Sequence, residues 1–134
     1  MYKKILIASA LDQGFAQKAA QAAKKLLSDD GEIVAVHVIE PVNNVVESFV
    51  SEEAKSKGRE TIKGMMADRF SNEQQIETVI LSGHPGSEIP AYAEKSGADC
   101  IIVGSHKPGL EDFFLGSTSS RVVRHANCAV HVLR

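Results

Sequence analysis

The feature that most constrains the fold is the alternation of short apolar runs with segments of helical periodicity. Five runs are rich in β-branched residues and are bounded by Gly, Pro, Asp or Ser, which is typical of strands buried on both faces. They lie at residues 5–8, 33–39, 78–81, 100–103 and 129–133. A helical stripe separates each run from the next. The pattern therefore predicts an α/β protein with one open, mainly parallel five-stranded sheet and helices on both faces.

Four helices are predicted between these strands. The first begins after Asp12 and ends before Gly31, and the others cover residues 52–70, 87–95 and 117–125. Pro90 is expected in the first turn of the third helix, and Gly97 is expected to end that helix. Residues expected to face inward include Ala54, Ile62, Met65, Met66 and Phe70 in the second helix, and Val122, Val123 and Ala126 in the fourth. Glu53, Lys57 and Glu60 are spaced for ion pairs on the outer face of the second helix.

The stretch 41–51 does not fit the helix-strand alternation. It is expected to be the least ordered part of the chain, although Val42, Val45, Val46, Phe49 and Val50 are too apolar for a simple solvated loop. We expect these side chains to cover a cleft or a partner surface.

Composition and charge argue against a nucleic-acid-binding, a membrane-spanning or a secreted protein. The 134 residues form one predicted domain, 1–134, with a formal net charge of -2 that gives no general surface for nucleic acid. No apolar run approaches the roughly 20 residues of a membrane span, and the start lacks a signal-peptide core. Cys100 and Cys128 are therefore expected to be reduced thiols in a cytoplasmic protein.

The predicted ligand site lies beyond the carboxyl ends of the strands, where open parallel sheets bind ligands. The stretch 104–109 after the fourth strand is rich in glycine, and Gly116 and Ser117 open the last helix. Free N–H groups at a helix start favour an anion, and Lys107 and Arg121 add positive charge nearby. The alternative is that the hydroxyls only cap a helix and the glycines only serve turns.

Asp12, just after the first strand, also has two interpretations. Its carboxylate can bond a ribose hydroxyl, as acidic residues near strand ends do in nucleotide-binding folds. It can equally cap the first helix, a position for which Asp is favoured.

Several other kinds of site are disfavoured by their missing patterns. The chain has no P-loop, and Ala8-Ser9-Ala10 replaces the glycine fingerprint of NAD-binding folds. The third strand ends in Ser82-Gly83 rather than the Asp of a phospho-accepting receiver domain. The five histidines lack the spacing of metal ligands, so no metal site is predicted. The two cysteines lie at buried strands, where thiols are unreactive, so neither is expected to be a nucleophile, and no catalytic residue is predicted.

A set of segments in a fixed order resembles the universal stress protein family over essentially the whole chain. The resemblance rests on residues 1–7, 37–40, 83–85, 98–106, 115–118 and 122–126. It implies a Rossmann-like fold, similar to that of the adenine nucleotide alpha hydrolases, with strand order 3-2-1-4-5. It also implies a cytosolic homodimer that binds ATP or AMP, with or without Mg²⁺.

The ATP-binding branch of that family has G-x2-G-x9-G-[ST] after its fourth strand. Gly104, Gly116 and Ser117 match this motif, but Lys107 replaces the second glycine, Gly109 follows two residues later, and the segment is one residue shorter. The chain thus resembles the subgroup with G-S-H-[RK]-P before the loop. The nucleotide-binding residues that the motifs and the resemblance together indicate are Ala8, Ser9, Asp12, Val38, Val103, Gly104, His106, Lys107, Gly109, Gly116, Ser117, Thr118 and Ser119.

The predicted function is that of an adenine-nucleotide-binding regulatory protein of the stress response, whose ligand shifts its conformation or its affinity for a protein partner. We expect at most a slow hydrolysis of ATP, because the acidic residues nearest the predicted site, Glu111 and Asp112, fall in a predicted loop. Their side chains are expected to be solvated and not to act as a general base. The alternative is a nucleotide-free dimeric interaction module. In both cases the dimer is expected to form through the last strand, at Ala129, Val130, His131, Val132 and Leu133.

Overall fold

A single five-stranded parallel sheet organises the molecule. The computed structural model describes residues 1–8, 11–105 and 115–134. The strands are β1 (Tyr2–Ala8), β2 (Leu27–Ile39), β3 (Ile76–Ser82), β4 (Cys100–Gly104) and β5 (Ala129–Leu133), and the helices are α1 (Gln13–Leu26), α2 (Asn44–Phe49), α3 (Glu52–Arg69), α4 (Pro85–Ser96) and α5 (Ser117–His125). The strand order is β3-β2-β1-β4-β5, with every neighbouring pair parallel. The predicted fold class and strand order are confirmed.

Helices cover both faces of the sheet, which explains the unbroken apolar runs. On one face Ile5 and Ile7 of β1 pack with residues of α1 and with Met66 of α3. On the other, Leu6 of β1 packs with Ile89 of α4 and Val122 of α5. Successive strand residues point to opposite faces of the sheet. Both sets of side chains are therefore buried when helices cover both faces, and the covered run of a strand is apolar at successive positions.

The boundary between α1 and β2 differs from the prediction. α1 ends at Leu26, and β2 begins at once with Leu27, which pairs with Tyr2 before a shift of register brings Glu32 opposite Lys4. Gly31 is therefore not a helix stop but a strand residue. A Cβ at Gly31 would collide with the Leu27 side chain, so packing within β2 accounts for the glycine.

Inward-facing residues are fewer than predicted on two helices. Met66 of α3 and Phe70 just after it are buried as predicted, and the partly buried Ile62 packs against the same core. Ala54 is exposed and Met65 is 36% exposed, so these two residues do not face inward. On α5, Val122 is buried but Val123 is 44% exposed, since adjacent helical residues point about 100° apart.

The predicted ion-pair stripe on α3 also differs from the structure. Lys63 pairs with Glu60 at 3.9 Å, so the partner of Glu60 is not Lys57.

Two further segments depart from the prediction at their ends. α4 begins at Pro85, so Pro90 lies inside the helix rather than in its first turn, whereas Gly97 ends it in the left-handed conformation as predicted. The stretch predicted to be least ordered contains α2, a short helix capped by Asn43, whose side chain accepts a bond from Val46 N–H at 2.9 Å.

Asp99 fixes β4 beside β1. Its two carboxylate oxygens accept the N–H groups of Lys3 and Lys4, each at 3.0 Å. Burial alone would raise the pKa of this carboxyl, but the backbone hydrogen bonds outweigh it and lower the pKa. Because a carboxyl with a lowered pKa stabilises the fold only while ionised, this clamp weakens as the pH falls through the Asp range.

The remaining features of the core are consistent with a reduced, compact domain. Cys100 and Cys128 are free thiols, and burial raises the pKa of Cys100 to about 11.

Among the residues described, no helix is both long and apolar enough to cross a membrane.

Candidate functional site

The candidate site lies between the carboxyl ends of β1 and β4. These strands are neighbours, with Ile7 opposite Ile102, yet β1 leads to β2 on one side of the sheet and β4 leads to β5 on the other. Connections that depart in opposite directions leave a crevice between them, which is the usual ligand site of an open α/β sheet. Ala8, Val103 and Gly104 all end strands at this crevice, and Val38 lies near the end of neighbouring β2.

The strand residues predicted to bind nucleotide present backbone rather than side chains. Ala8 is 1% exposed, Val103 2% and Val38 7%, because their side chains pack into the core. Gly104 is more open, and a Cβ there would meet the Phe15 ring of α1 at 3.5 Å, an ordinary contact distance. Peptide N–H and C=O groups are therefore what these positions can offer a ligand.

The start of α5 is anchored to the end of β4. Gly116 N–H donates to Ser105 O at 2.8 Å, and the Ser119 hydroxyl donates to Gly104 O. Gly116 is the N-cap residue and has no side chain to bond the N–H groups of the first turn. The first i→i−4 bond of the helix runs from Ser120 N–H to Gly116 O at 2.9 Å, so the preceding N–H groups point out at the crevice edge.

This arrangement suits an anion. The N–H groups of Ser117, Thr118 and Ser119 carry the positive end of the helix dipole. Ser117 is exposed and Thr118 is half-buried, so both hydroxyls lie near solvent. The Ser119 hydroxyl already donates to Gly104 O, which leaves its backbone N–H, rather than its side chain, for a ligand.

Asp12 caps α1. Its Oδ1 accepts from Phe15 N–H at 2.9 Å, which confirms the capping interpretation. Among the residues described, Asp12 Oδ2 accepts no hydrogen bond, and the side chain is exposed just after the end of β1. Capping and ribose binding use different lone pairs of one carboxylate, so the ribose role stays a prediction.

Several residues named in the sequence analysis lie outside the residues that the structure describes. They are Ser9, His106, Lys107, Gly109, Glu111 and Asp112. The aliphatic part of Arg121 packs against Gly86 of α4, where a Cβ would lie 2.8 Å from Arg121 Cδ.

Histidines and carboxylates do not gather into a metal site in residues 1–8, 11–105 and 115–134. His37 is half-buried in β2, and burial lowers its pKa, which favours the neutral ring of a packed strand residue.

A second concavity lies beside the crevice, and Val42 and Val50 line it, in agreement with the cleft predicted at the stretch 41–51. The sequence analysis did not identify the polar residues of this concavity. A cavity of about 320 Å³ lies beyond the ends of β2 and β3, between α2 and α3. Its polar residues include Lys55 and Arg59 of α3, one helical turn apart. That i, i+4 spacing of basic residues, next to the apolar stretch 41–51, was the available signal.

β5 is the outermost strand on its side of the sheet. Its residues Val130, His131, Val132 and Leu133 are half-buried and Ala129 is exposed. This is the position at which a pairing strand from a second copy was predicted, and the dimer itself stays a prediction.

Comparisons with a family model, with curated relatives and with solved structures all point to the same family. The model of the universal stress protein family matches residues 1–134. Universal stress protein MJ0531 of Methanocaldococcus jannaschii is 33% identical over 144 residues, an alignment that covers 100% of this chain and 83% of the relative. The solved structure of MJ0577 from the same organism aligns with a TM-score of 0.81 and 31% identity, over 99% of this chain and 96% of that one.

Two more distant structures share the fold and hold adenine nucleotides. A universal stress protein in complex with cAMP aligns with a TM-score of 0.74 at 16% identity, over 99% of this chain and 97% of that one. An Arabidopsis thaliana protein of the family, with AMP bound, aligns with a TM-score of 0.62 at 20% identity, over 98% of this chain and 90% of that one.

Proposed function

The chain belongs to the universal stress protein family, and from this premise we propose that it binds an adenine nucleotide, ATP or AMP, in the crevice between β1 and β4. The nucleotide is a regulatory ligand that shifts the conformation of the protein or its affinity for a protein partner. The protein acts as a cytoplasmic homodimer joined through β5.

The observation that carries the proposal is the anchored start of α5. Bonds to Ser105 O and Gly104 O hold the first turn of the helix against the end of β4, at the point where the strand order reverses. A phosphate bound there meets N–H groups that are already oriented, so little conformational entropy is lost on binding.

The other parts of a nucleotide have candidate partners along the same edge of the sheet. The exposed carboxylate of Asp12 supports a bond to the ribose, and the backbone near Val38 supports contact with the adenine. The AMP and cAMP held by two structural neighbours share the adenosine and one phosphate group. Adenosine and an α-phosphate are therefore the chemistry we assign to the ligand, with further phosphates and Mg²⁺ at the start of α5.

Binding rather than catalysis is the proposed activity. No carboxylate or histidine of the described chain is bonded to the first turn of α5, so no general base is assigned there. A nucleotide-free interaction module is the alternative, and the exposed apolar side chains of α2 favour it, since Val45 is 68% and Phe49 84% exposed.

Calorimetric titration with ATP, AMP and cAMP, each with and without Mg²⁺, tests the proposal. We expect Gly116→Val to weaken binding at least tenfold, because a branched side chain would crowd the N–H groups of the first turn. The variant should still fold, since Gly116 has φ -59° and ψ 159°, which Val adopts without strain.

Gly64→Val is the matched control. Gly64 lies in α3, and a Cβ there meets nothing within 4 Å, so its nucleotide affinity should equal that of the wild type. Failure of the wild type to bind any of the three nucleotides would overturn the proposal in favour of the interaction module.

A further inference from the structure

A cavity of about 320 Å³ lies next to the nucleotide crevice but shares none of its predicted residues. Ile39, Glu40, Pro41 and Val42 form one wall as the chain leaves β2, and Ser82 at the end of β3 lies beside them. α2 and α3 complete the walls. Its lining residues are Ile39, Glu40, Pro41, Val42, Glu47, Val50, Lys55, Gly58, Arg59, Ile62 and Ser82.

The body of the cavity is apolar. Ile39, Val42, Val50 and Ile62 line it, and Ile62 also packs against the core below. Its volume is at the lower end of the roughly 300–1,000 Å³ of small-molecule sites.

The two cations of the cavity differ in how their charge is compensated. Lys55 Nζ lies 3.3 Å from Glu47 and 3.6 Å from Glu52, and the hydrogen bond to Glu47 raises its pKa. Arg59 donates to Ser82 Oγ at 2.8 Å and has no carboxylate within 4.0 Å among the residues described. Arg59 is exposed and its guanidinium has five N–H donors, so it can pair with an anionic ligand while it keeps the bond to Ser82.

Gly58 lines the cavity and has no side chain to occupy it. It sits inside α3, where glycine costs roughly 1 kcal/mol relative to alanine, yet a Cβ at Gly58 would meet nothing within 4 Å. Gly64 on the same helix has equal free space but does not line the cavity. The two glycines therefore form a matched pair in which only one substitution fills the cavity.

From these observations we propose that the cavity binds a small organic carboxylate of about eight carbons in all, whose carboxylate pairs with Arg59 and whose chain lies against the apolar residues Ile39, Val42, Val50 and Ile62. Ser82 holds the guanidinium in position for that pairing. The ligand is a second one, and the site does not depend on nucleotide binding in the crevice.

Octanoate is the probe, because it combines a carboxylate with an apolar chain of the required size. Calorimetry and amide chemical-shift mapping should show it binding the full chain, with the largest shifts at Val42, Gly58 and Ile62. Octanol lacks the charge and acetate lacks the chain, so each should bind at least tenfold more weakly than octanoate.

Four variants separate the cavity from the rest of α3. Arg59→Gln should weaken octanoate binding about tenfold. Lys57→Gln is its control and should leave binding unchanged, because it removes an exposed positive charge that does not line the cavity. Gly58→Leu should abolish binding by filling the space, whereas Gly64→Leu should leave it intact. Circular dichroism melts confirm that all four variants fold.

Three results would overturn the proposal. The first is octanoate binding to Gly58→Leu with wild-type affinity. The second is no binding to the wild type at about 10 mM octanoate, ten times a dissociation constant of about 1 mM. The third is complete displacement of octanoate by AMP, which would make the cavity part of the nucleotide crevice. A protein that binds octanoate but no nucleotide would refute the proposed function alone.

Discussion

At the scale of single residues, Asp12 is a helix cap with a second, proposed role in ribose binding. Its Oδ1 accepts the Phe15 N–H at 2.9 Å and so begins α1, and the side chain is exposed. A cap is lost on substitution by Ala but kept by Ser, which also bonds first-turn N–H groups. The two roles can therefore be measured separately.

We expect Asp12→Ala to lose about 1 kcal/mol of unfolding free energy and to weaken ATP and AMP alike. Asp12→Ser should keep its stability but lose a similar factor in affinity, roughly tenfold to a hundredfold for a charge-assisted bond to the ribose. Thermal melts and calorimetry give the two quantities. A Ser variant with unchanged affinity would leave Asp12 as a helix cap only.

Residue types near the site could be predicted from the sequence better than their orientations. Asp12 and Gly116 were identified because capping residues and helix-start glycines leave local signals. The burial of Ala8 and Val103 followed from the apolar runs that contain them, but which of their backbone groups face the crevice depends on strand pairing that no local pattern encodes. Arg59 was missed because its partner Ser82 lies 23 residues away.

At the scale of elements, the position of α5 depends on a side-chain bond as well as on packing. Its face is buried through Val122, but its first turn is fixed by the Ser119 hydroxyl on Gly104 O, next to Gly116 N–H on Ser105 O. A phosphate site at a helix start needs such anchoring, because a shift of about 1 Å misdirects the N–H groups.

Ser119→Ala should therefore affect both stability and binding. Loss of the bond leaves the Gly104 carbonyl without its side-chain donor, at a cost of about 1–2 kcal/mol in unfolding free energy, and nucleotide affinity should fall severalfold. Ser120→Ala is the control, because Ser120 Oγ makes only a 3.4 Å contact with Leu115 O. Urea denaturation and calorimetry test both, and equal behaviour of the two variants would contradict the anchoring role.

Element types were predicted more reliably than element ends. The strands and long helices followed from periodicity, but β2 starts at Leu27 because Tyr2 pairs with it, a contact that no local pattern encodes. α2 was missed because it is short and its apolar residues Val45 and Phe49 remain exposed, so it lacks the one-sided stripe of a packed helix.

At the scale of the whole molecule, the outer edge of β5 is the predicted dimer interface. Leu133 O accepts from Ser105 N–H at 2.8 Å, so Leu133 directs its backbone groups toward β4. Alternate strand residues direct these groups to opposite edges, and Val130 and Val132 therefore direct theirs to the outer edge. A second copy of β5, antiparallel across a two-fold axis, would pair with those outward groups.

This geometry predicts which substitution makes a monomer. Val130→Pro removes an outward N–H and leaves the ladder to β4 in place, so the variant should fold yet lose the dimer. Val130→Ala keeps the N–H and should remain dimeric, which separates the backbone contribution from that of the side chain. Light scattering at about 100 μM, a concentration at which a dimer with a dissociation constant of about 1 μM is almost fully formed, should give twice the 14.4 kDa chain mass for wild type and Val130→Ala. A monomeric wild type, or a Val130→Pro variant that stays dimeric, would place the interface elsewhere than the β5 edge.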